Sequence, residues 1–283
     1  MTNSKTLFKD FMNTLVLNES HAELQSIAYL VFENVFGLSR AQILGEKAIQ
    51  VGGLNDRLKE ISKRLNHNEP IQYILGEAHF FGRQFLVNPS VLIPRPETEE
   101  LVRVVLDHSK KKDPESRIVD IGTGSGCIAI SLALEMPSSE VFATDISKDA
   151  LKLAMENARR LSADVHFEEH NILQNMLPLS VDVMVSNPPY ISMHERDSMP
   201  KNVLNFEPDI ALFVSDDDPF IFYESLLRRA KESLLPDGLL AVEINERYGR
   251  EIPGLFRKHD FRSVEMVQDV FGKNRIVKGI LSS

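Results

Sequence analysis

The chain has 283 residues, room for about two domains at ~150 residues each. Its 32 Lys and Arg against 41 Asp and Glu leave a formal charge of −9, which argues against a general DNA or membrane-surface binder, because phosphate contacts need clustered Lys and Arg. A 43% hydrophobic, 26% charged composition excludes a disordered chain; one cysteine excludes an internal disulfide or Cys-cluster zinc site, and no apolar run nears the ~18 residues of a membrane span. The N-terminus, MTNSKTLFKDFMNTL, carries Asp10 and no small-residue cleavage site, so it is not a secretory signal. The eight His show neither HExxH nor HxH spacing, so no metal is expected. These features predict a soluble cytoplasmic protein.

Residues 1–78 read as a small all-α domain suited to docking a partner. Leu7, Phe11 and Leu15 recur at a spacing of four, one face of a helix. Ser20 with Glu23 and Ser39 with Gln42 match capping boxes at two more helix starts. Gly52-Gly53 punctuates, and Asn66 to Pro70 ends the next helix. Residues 79–95 then turn aromatic and β-branched around Gly82 and Asn88-Pro89, a hairpin linker. Arg95-Pro96 leads into a helix with Glu97, Glu99 and Glu100 in its first turn, where the dipole favours them.

In the remainder, 96–283, strand and helix alternate from about residue 115 onward. Strands are predicted at Arg117–Ile121, Val141–Asp145, Val181–Ser186 and Leu239–Ile244, with helices at Cys127–Leu134, Lys148–Leu161 and Phe220–Leu235. That is an α/β domain with a mostly parallel sheet. Runs at Ser263–Val267 and Arg275–Ile280, around Phe271-Gly272-Lys273-Asn274, predict a closing antiparallel hairpin. Lys110–Lys112 and Asp216–Asp218 read as solvated loop charges.

Two loops carry chemistry. Gly122-Thr123-Gly124-Ser125-Gly126 leaves a buried strand and enters a helix, and glycine there lets backbone approach a ligand. Cys127 stands where a dinucleotide fingerprint needs glycine, and no Lys follows as in a P-loop, so a different nucleoside cofactor is implied. Asp145, 19 positions past Gly126, suits two ribose hydroxyls or else caps the helix opening at Ser147. Asn171 could meet an adenine with Ile172 beneath the ring, or be a plain loop residue.

The second loop is Asn187-Pro188-Pro189-Tyr190, at the end of a buried strand. Two prolines make a stiff corner with bare carbonyls. The Asn187 side-chain oxygen and the Pro188 carbonyl can accept both hydrogens of a planar NH₂ group. That pulls its nitrogen toward tetrahedral geometry and aims the lone pair at an electrophile, while Tyr190 offers a flat face. The matching electrophile is the methyl of a sulfonium ion, S-adenosylmethionine, leaving S-adenosylhomocysteine.

These segments, with Val91-Leu92-Ile93-Pro94-Arg95-Pro96-Glu97-Thr98-Glu99, Glu69-Pro70-Ile71-Gln72-Tyr73-Ile74, Gly76-Glu77-Ala78-His79-Phe80 and Phe206-Glu207-Pro208, resemble the release factor glutamine methyltransferases (PrmC/HemK type). The resemblance implies a class I S-adenosylmethionine-dependent methyltransferase domain, Rossmann-like, behind a helical domain that engages the substrate. It implies methylation of the glutamine of the Gly-Gly-Gln loop of class I peptide chain release factors. Residues 122–126 and Asp145 would then bind cofactor, Asn187 would lie between cofactor and substrate, and Asn187, Pro188, Pro189 and Tyr190 would hold the glutamine. Asn171 stands where the family often has Asp, and Asn245 where it often has Gly. Arg95 and Glu97 would shape the substrate entrance, or make an interdomain salt bridge and a helix start. Two other enzymes share the chemistry: a ribosomal-protein glutamine methyltransferase and an adenine-N6 nucleic-acid methyltransferase. The first has a different proline segment, and the acidic charge disfavours direct nucleic-acid binding.

Overall fold

The computed structural model describes residues 2–112, 115–269 and 271–282, in two compact units. The first comprises residues 1–76 with 200–206, and the second residues 77–199 with 207–283.

In the first unit, helices α1 (Ser4–Asn13), α2 (His21–Phe36), α3 (Arg40–Leu44), α4 (Leu54–Asn66) and α5 (Ile71–Leu75) surround one aromatic core. The Ser39–Gln42 capping box is fully formed, whereas Ser20 caps α2 through the Glu23 amide. The predicted stripe on α1 is shifted: Phe8 and Phe11 are the buried apolar residues of the helix, and Leu7 packs only at the margin. Leu15 is buried beyond the helix end. Phe32 decides this, because both phenylalanine rings meet it edge-on.

The second unit opens with a hairpin, β1 (Glu77–Phe80) and β2 (Arg83–Leu86), turning through Phe81-Gly82, both at positive φ. After α6 (Glu99–Lys112) come β3 (Arg117–Ile121), α7 (Cys127–Glu135), β4 (Glu140–Asp145), α8 (Lys148–Leu161), β5 (His166–Glu169) and β6 (Val181–Ser186). The chain closes with α9 (Ile221–Ser233), β7 (Leu234–Glu243), α10 (Glu251–Lys258), β8 (Phe261–Gln268) and β9 (Asn274–Leu281). Among the described residues the sheet has seven strands in the order β8-β9-β7-β6-β3-β4-β5. Strands β7 through β5 run parallel, and β9 pairs antiparallel with both neighbours.

Alternation along each strand feeds two cores. Ile118, Val183, Val185, Leu239 and Ala241 pack under α6 and α7. Val119, Met184, Leu240 and Val242 pack under α9 and α10. Apolar residues on both faces are what a parallel sheet covered by helices requires.

Two expectations need correction. Lys110–Lys112 closes α6 rather than lying in a loop; Lys110 is exposed, and the side chains of Lys111 and Lys112 lie outside the described residues. The strand expected from Leu239 begins at Leu234, and pairing with β6 breaks between Leu234 and Leu239. Pro236 has no N–H to give the ladder, so pairing is interrupted there.

The strand order sets the site. From β3 the chain steps outward to β4 and β5, then returns to place β6 on the other side of β3. Ligands of such sheets bind beyond the carboxyl ends at this reversal. Ile121 is in register with both Thr144 and Ser186, and Ser186 with Val242, so four strands end together. The Ser186 hydroxyl donates to the Ile121 carbonyl at 2.7 Å, tying the two central ends.

Candidate active site

The glycine loop leaves β3 with Gly122, Gly124 and Gly126 all at positive φ. Its first two amides, Gly122 and Thr123, donate to the Thr144 carbonyl at 2.8 and 2.9 Å. A Cβ on Gly122 or Gly124 would meet nothing within 4 Å. Gly126 differs: a Cβ there would lie 2.9 Å from Ile130 Cδ1 and 3.2 Å from Ala154 Cβ. It is the contact that lets α8 pack on the start of α7. Asp120 lies beneath, fully buried, accepting the Thr123 hydroxyl at 2.6 Å. Burial pushes its carboxyl up to about 7.

Asp145, at the end of β4, accepts from the Gly124 amide on one carboxylate oxygen and from the Ser147 amide on the other, each at 2.9 Å. The cap of α8 is Ser147 itself, whose hydroxyl accepts from the Ala150 amide. Asp145 therefore braces the glycine loop instead of capping the helix. Burial raises its carboxyl above the ordinary range, and those amide hydrogen bonds oppose the rise. Asn157 on α8 completes the bracing. Its side chain receives the Leu86 amide at 2.7 Å and donates to the Leu86 and Ser125 carbonyls at 3.0 and 2.9 Å.

At the end of β6, the Asn187 amide is held from behind. Its Nδ2 donates to Thr98 Oγ1 at 3.2 Å. Thr98 Oγ1 donates in turn to Glu243 Oε2 at 2.6 Å, and the Tyr190 hydroxyl donates to Glu243 Oε1 at 3.1 Å. Glu243 ends β7 and is buried, which raises its carboxyl; the Thr98 and Tyr190 hydrogen bonds pull it back. Burial and the Glu243 charge push the Tyr190 phenol well above its ordinary value. In front of the loop, Arg95 pairs with buried Glu207 at 2.5 Å, and the same carboxylate takes the Ile93 amide at 3.1 Å. Both partners belong to the second unit, so the bridge is not interdomain.

A cavity of about 250 Å³ opens between these loops. It brings together Gly122, Thr123, Gly124, Ser125, Asp145, Asn171, Ile172, Asn187, Pro188 and Pro189. Two expected site residues stay out of its wall. Gly126 faces the packing of α7 on α8, and the Tyr190 hydroxyl is tied to Glu243 while its ring packs on the core below. Asn171 lines the cavity, yet its side-chain oxygen accepts from the Leu173 amide at 3.0 Å, so the loop already uses it. His170 lines it too, buried, with its imidazole held below its ordinary pKa by desolvation. Cys127 is an inert thiol, pushed up to about 12 by burial. Among the described residues no group of three or more His, Cys, Asp or Glu is placed to hold a metal ion, and no helix is long and apolar enough to cross a membrane.

Sequence reading met Thr98 and Glu207 only inside the family-like segments and gave no role to them, to Glu243 or to Asn157. The last two had a signal of their own. Glu243 is a charge inside the apolar run Leu239 to Ile244, and Asn157 interrupts the apolar face of α8 formed by Ala150, Leu153 and Ala154.

Comparison with known proteins agrees with this architecture. Residues 98–205 match the family model "Methyltransferase small domain". A release factor glutamine methyltransferase of Bacteroides thetaiotaomicron is 42% identical over 259 residues, 90% of this chain and 92% of that protein. One from Flavobacterium psychrophilum is 39% identical over 272 residues, 95% of each chain. Among solved structures, a methyltransferase from Pyrococcus furiosus shares the fold at a TM-score of 0.53 and 19% identity, covering 80% of this chain and all of that one.

Proposed function

The chain belongs to the release factor glutamine methyltransferase family, and from that membership we propose that it methylates the side-chain amide nitrogen of the glutamine in the Gly-Gly-Gln motif of class I peptide chain release factors. S-adenosylmethionine supplies an electrophilic methyl on a positively charged sulfur. The cavity residues fit such a group: Asp145 offers carboxylate lone pairs at the wall beside a glycine loop open to close approach, with Ile146 and Ile172 as apolar neighbours. Gly122, Thr123, Gly124, Ser125 and Asp145 would hold it, with Asn171 and Ile172 at its base.

One observation carries the reading. Asn187 is anchored through its nitrogen, so its oxygen is left to accept a hydrogen at the mouth of the same cavity. With the Pro188 carbonyl as second acceptor, an incoming carboxamide gives up both N–H bonds to the corner. Its nitrogen lone pair leaves conjugation and points at the methyl. No strong base is needed, since the proton becomes acidic only as the new bond forms and can leave afterwards. Pro189 stiffens the corner, and Tyr190 supports it from below through Glu243. The helical first unit, which holds most of the 1–78 segment expected from sequence, would engage the release factor, and the protein would work in the cytoplasm.

The test is mass spectrometry of a purified class I release factor after incubation with the chain and S-adenosylmethionine. One added methyl on the motif glutamine is expected. Asn187→Ala should lower kcat by about 10²–10³-fold, the cost of losing one transition-state acceptor, with cofactor affinity kept. A methyl on ribosomal protein or nucleic-acid adenine, and none on the release factor, would reject the proposal.

A further inference from the structure

A primary amide has two ends of nearly the same shape, and only one of them serves this reaction. If Asn187 turned its nitrogen toward the cavity, a donor would face the donors of the incoming carboxamide. The corner works only if the amide is locked the right way round, and the residues behind it form a chain that does so.

Glu243 receives two hydroxyl hydrogens, one from Thr98 and one from Tyr190, each on its own oxygen. An ionised carboxylate only accepts. The single Thr98 proton is therefore committed to Glu243. What remains on Thr98 Oγ1 is acceptor capacity, and only the nitrogen end of Asn187 can satisfy it. Oδ1 is thus left for the cavity. Direction passes from carboxylate to hydroxyl to amide through residues 89 and 145 positions apart in the chain. The strand register supports this. Val242 pairs with Ser186, so Glu243 and Asn187 leave adjacent strands at the same edge. Thr98 is 3% exposed and Glu243 2%, so water does not compete for their hydrogen bonds.

We infer that Thr98 and Glu243 are positioning residues for methyl transfer, holding the Asn187 amide in the one orientation that presents its oxygen to the substrate. This rests on the function proposed above. Thr98 borders the cavity, but its hydroxyl is spent on Glu243 and Asn187, so the consequence of losing either residue is a flipped or mobile Asn187, not a lost polar contact to the substrate.

The full chain is tested with a purified class I release factor and S-adenosylmethionine, and S-adenosylhomocysteine binding is measured by calorimetry. Thr98→Val keeps shape and removes the hydroxyl; Thr98→Ser restores it. Glu243→Gln keeps volume but can both donate and accept, so it no longer dictates direction. Thr98→Val and Glu243→Gln should each lower kcat about 10- to 100-fold, with the S-adenosylhomocysteine Kd within about twofold of wild type. Thr98→Ser should stay within about threefold of wild-type kcat, and adding Thr98→Val to Asn187→Ala should cause no further loss. Unchanged product affinity certifies folding, and Glu243→Gln carries the test alone if the valine variant does not fold. Wild-type kcat in Thr98→Val or Glu243→Gln, a serine variant as impaired as the valine, or full multiplicative loss in the double variant overturns the inference while leaving the function standing. A wild-type chain that leaves the release factor unmethylated overturns both.

Discussion

Replacing Asn157 with leucine tests how the glycine loop is held. The two side chains are similar in size, so the effect is polar and little cavity forms. Three hydrogen bonds vanish: from the Leu86 amide at 2.7 Å, to the Leu86 carbonyl at 3.0 Å and to the Ser125 carbonyl at 2.9 Å. Leu86 is only half-buried, so water recovers part of the loss, and each of its groups costs about 1 kcal/mol. Ser125 is 2% exposed and its orphaned carbonyl costs about 2–3 kcal/mol. The sum is about 4–5 kcal/mol. With an m-value of about 3 kcal/mol/M for a unit of this size, the urea midpoint of that unit falls by roughly 1.5 M. Far-UV circular dichroism is the suitable probe, since the chain has no tryptophan. The same variant should bind S-adenosylhomocysteine more weakly, because the loop carrying Ser125 loses its brace. A midpoint shift of ~0.3 M or less, which is about 1 kcal/mol, would refute the assigned role.

The remaining predictions concern the same loop. Gly126→Ala should destabilise more than Gly122→Ala. Both place alanine at positive φ, costing about 1–2 kcal/mol, but only Gly126 also drives a Cβ against Ile130 and Ala154; equal losses in thermal melts would contradict the packing. Asp120 titrates at about 7 when folded against 3.8 when free. The folded chain holds that proton across a range in which the unfolded chain has lost it. The stabilisation is therefore full below about pH 4 and is lost as pH rises through about 7, by roughly 4 kcal/mol. Asp120→Asn should accordingly gain stability relative to wild type between pH 4 and pH 8. A difference that does not change with pH in denaturation series would show that Asp120 is not buried as described.

The order of elements was legible because each local rule agreed with its neighbours. Val181–Ser186 and Lys148–Leu161 are found where the apolar runs and the Ser147 cap place them. The two loops stood out for a related reason: glycines before a helix and consecutive prolines after a strand restrict backbone so strongly that few other purposes suit them. Boundaries failed where pairing overrode propensity. The strand from Leu234 starts five residues early because it finds β6 beside it, and Phe8 displaces Leu7 because Phe32 is there to meet it.

Composition and spacing thus determined the fold class and marked out the two loops from which the chemistry is proposed, all properties of contiguous stretches. Tertiary structure alone decided which way the Asn187 amide faces, that the Tyr190 hydroxyl is tied to Glu243, that Gly126 is a packing contact, that Asn157 braces the glycine loop, and that Glu207 holds Ile93 and Arg95. Each of these depends on a partner brought near by folding, and a hydrogen bond between residues far apart in the chain leaves no periodic trace in the order of amino acids.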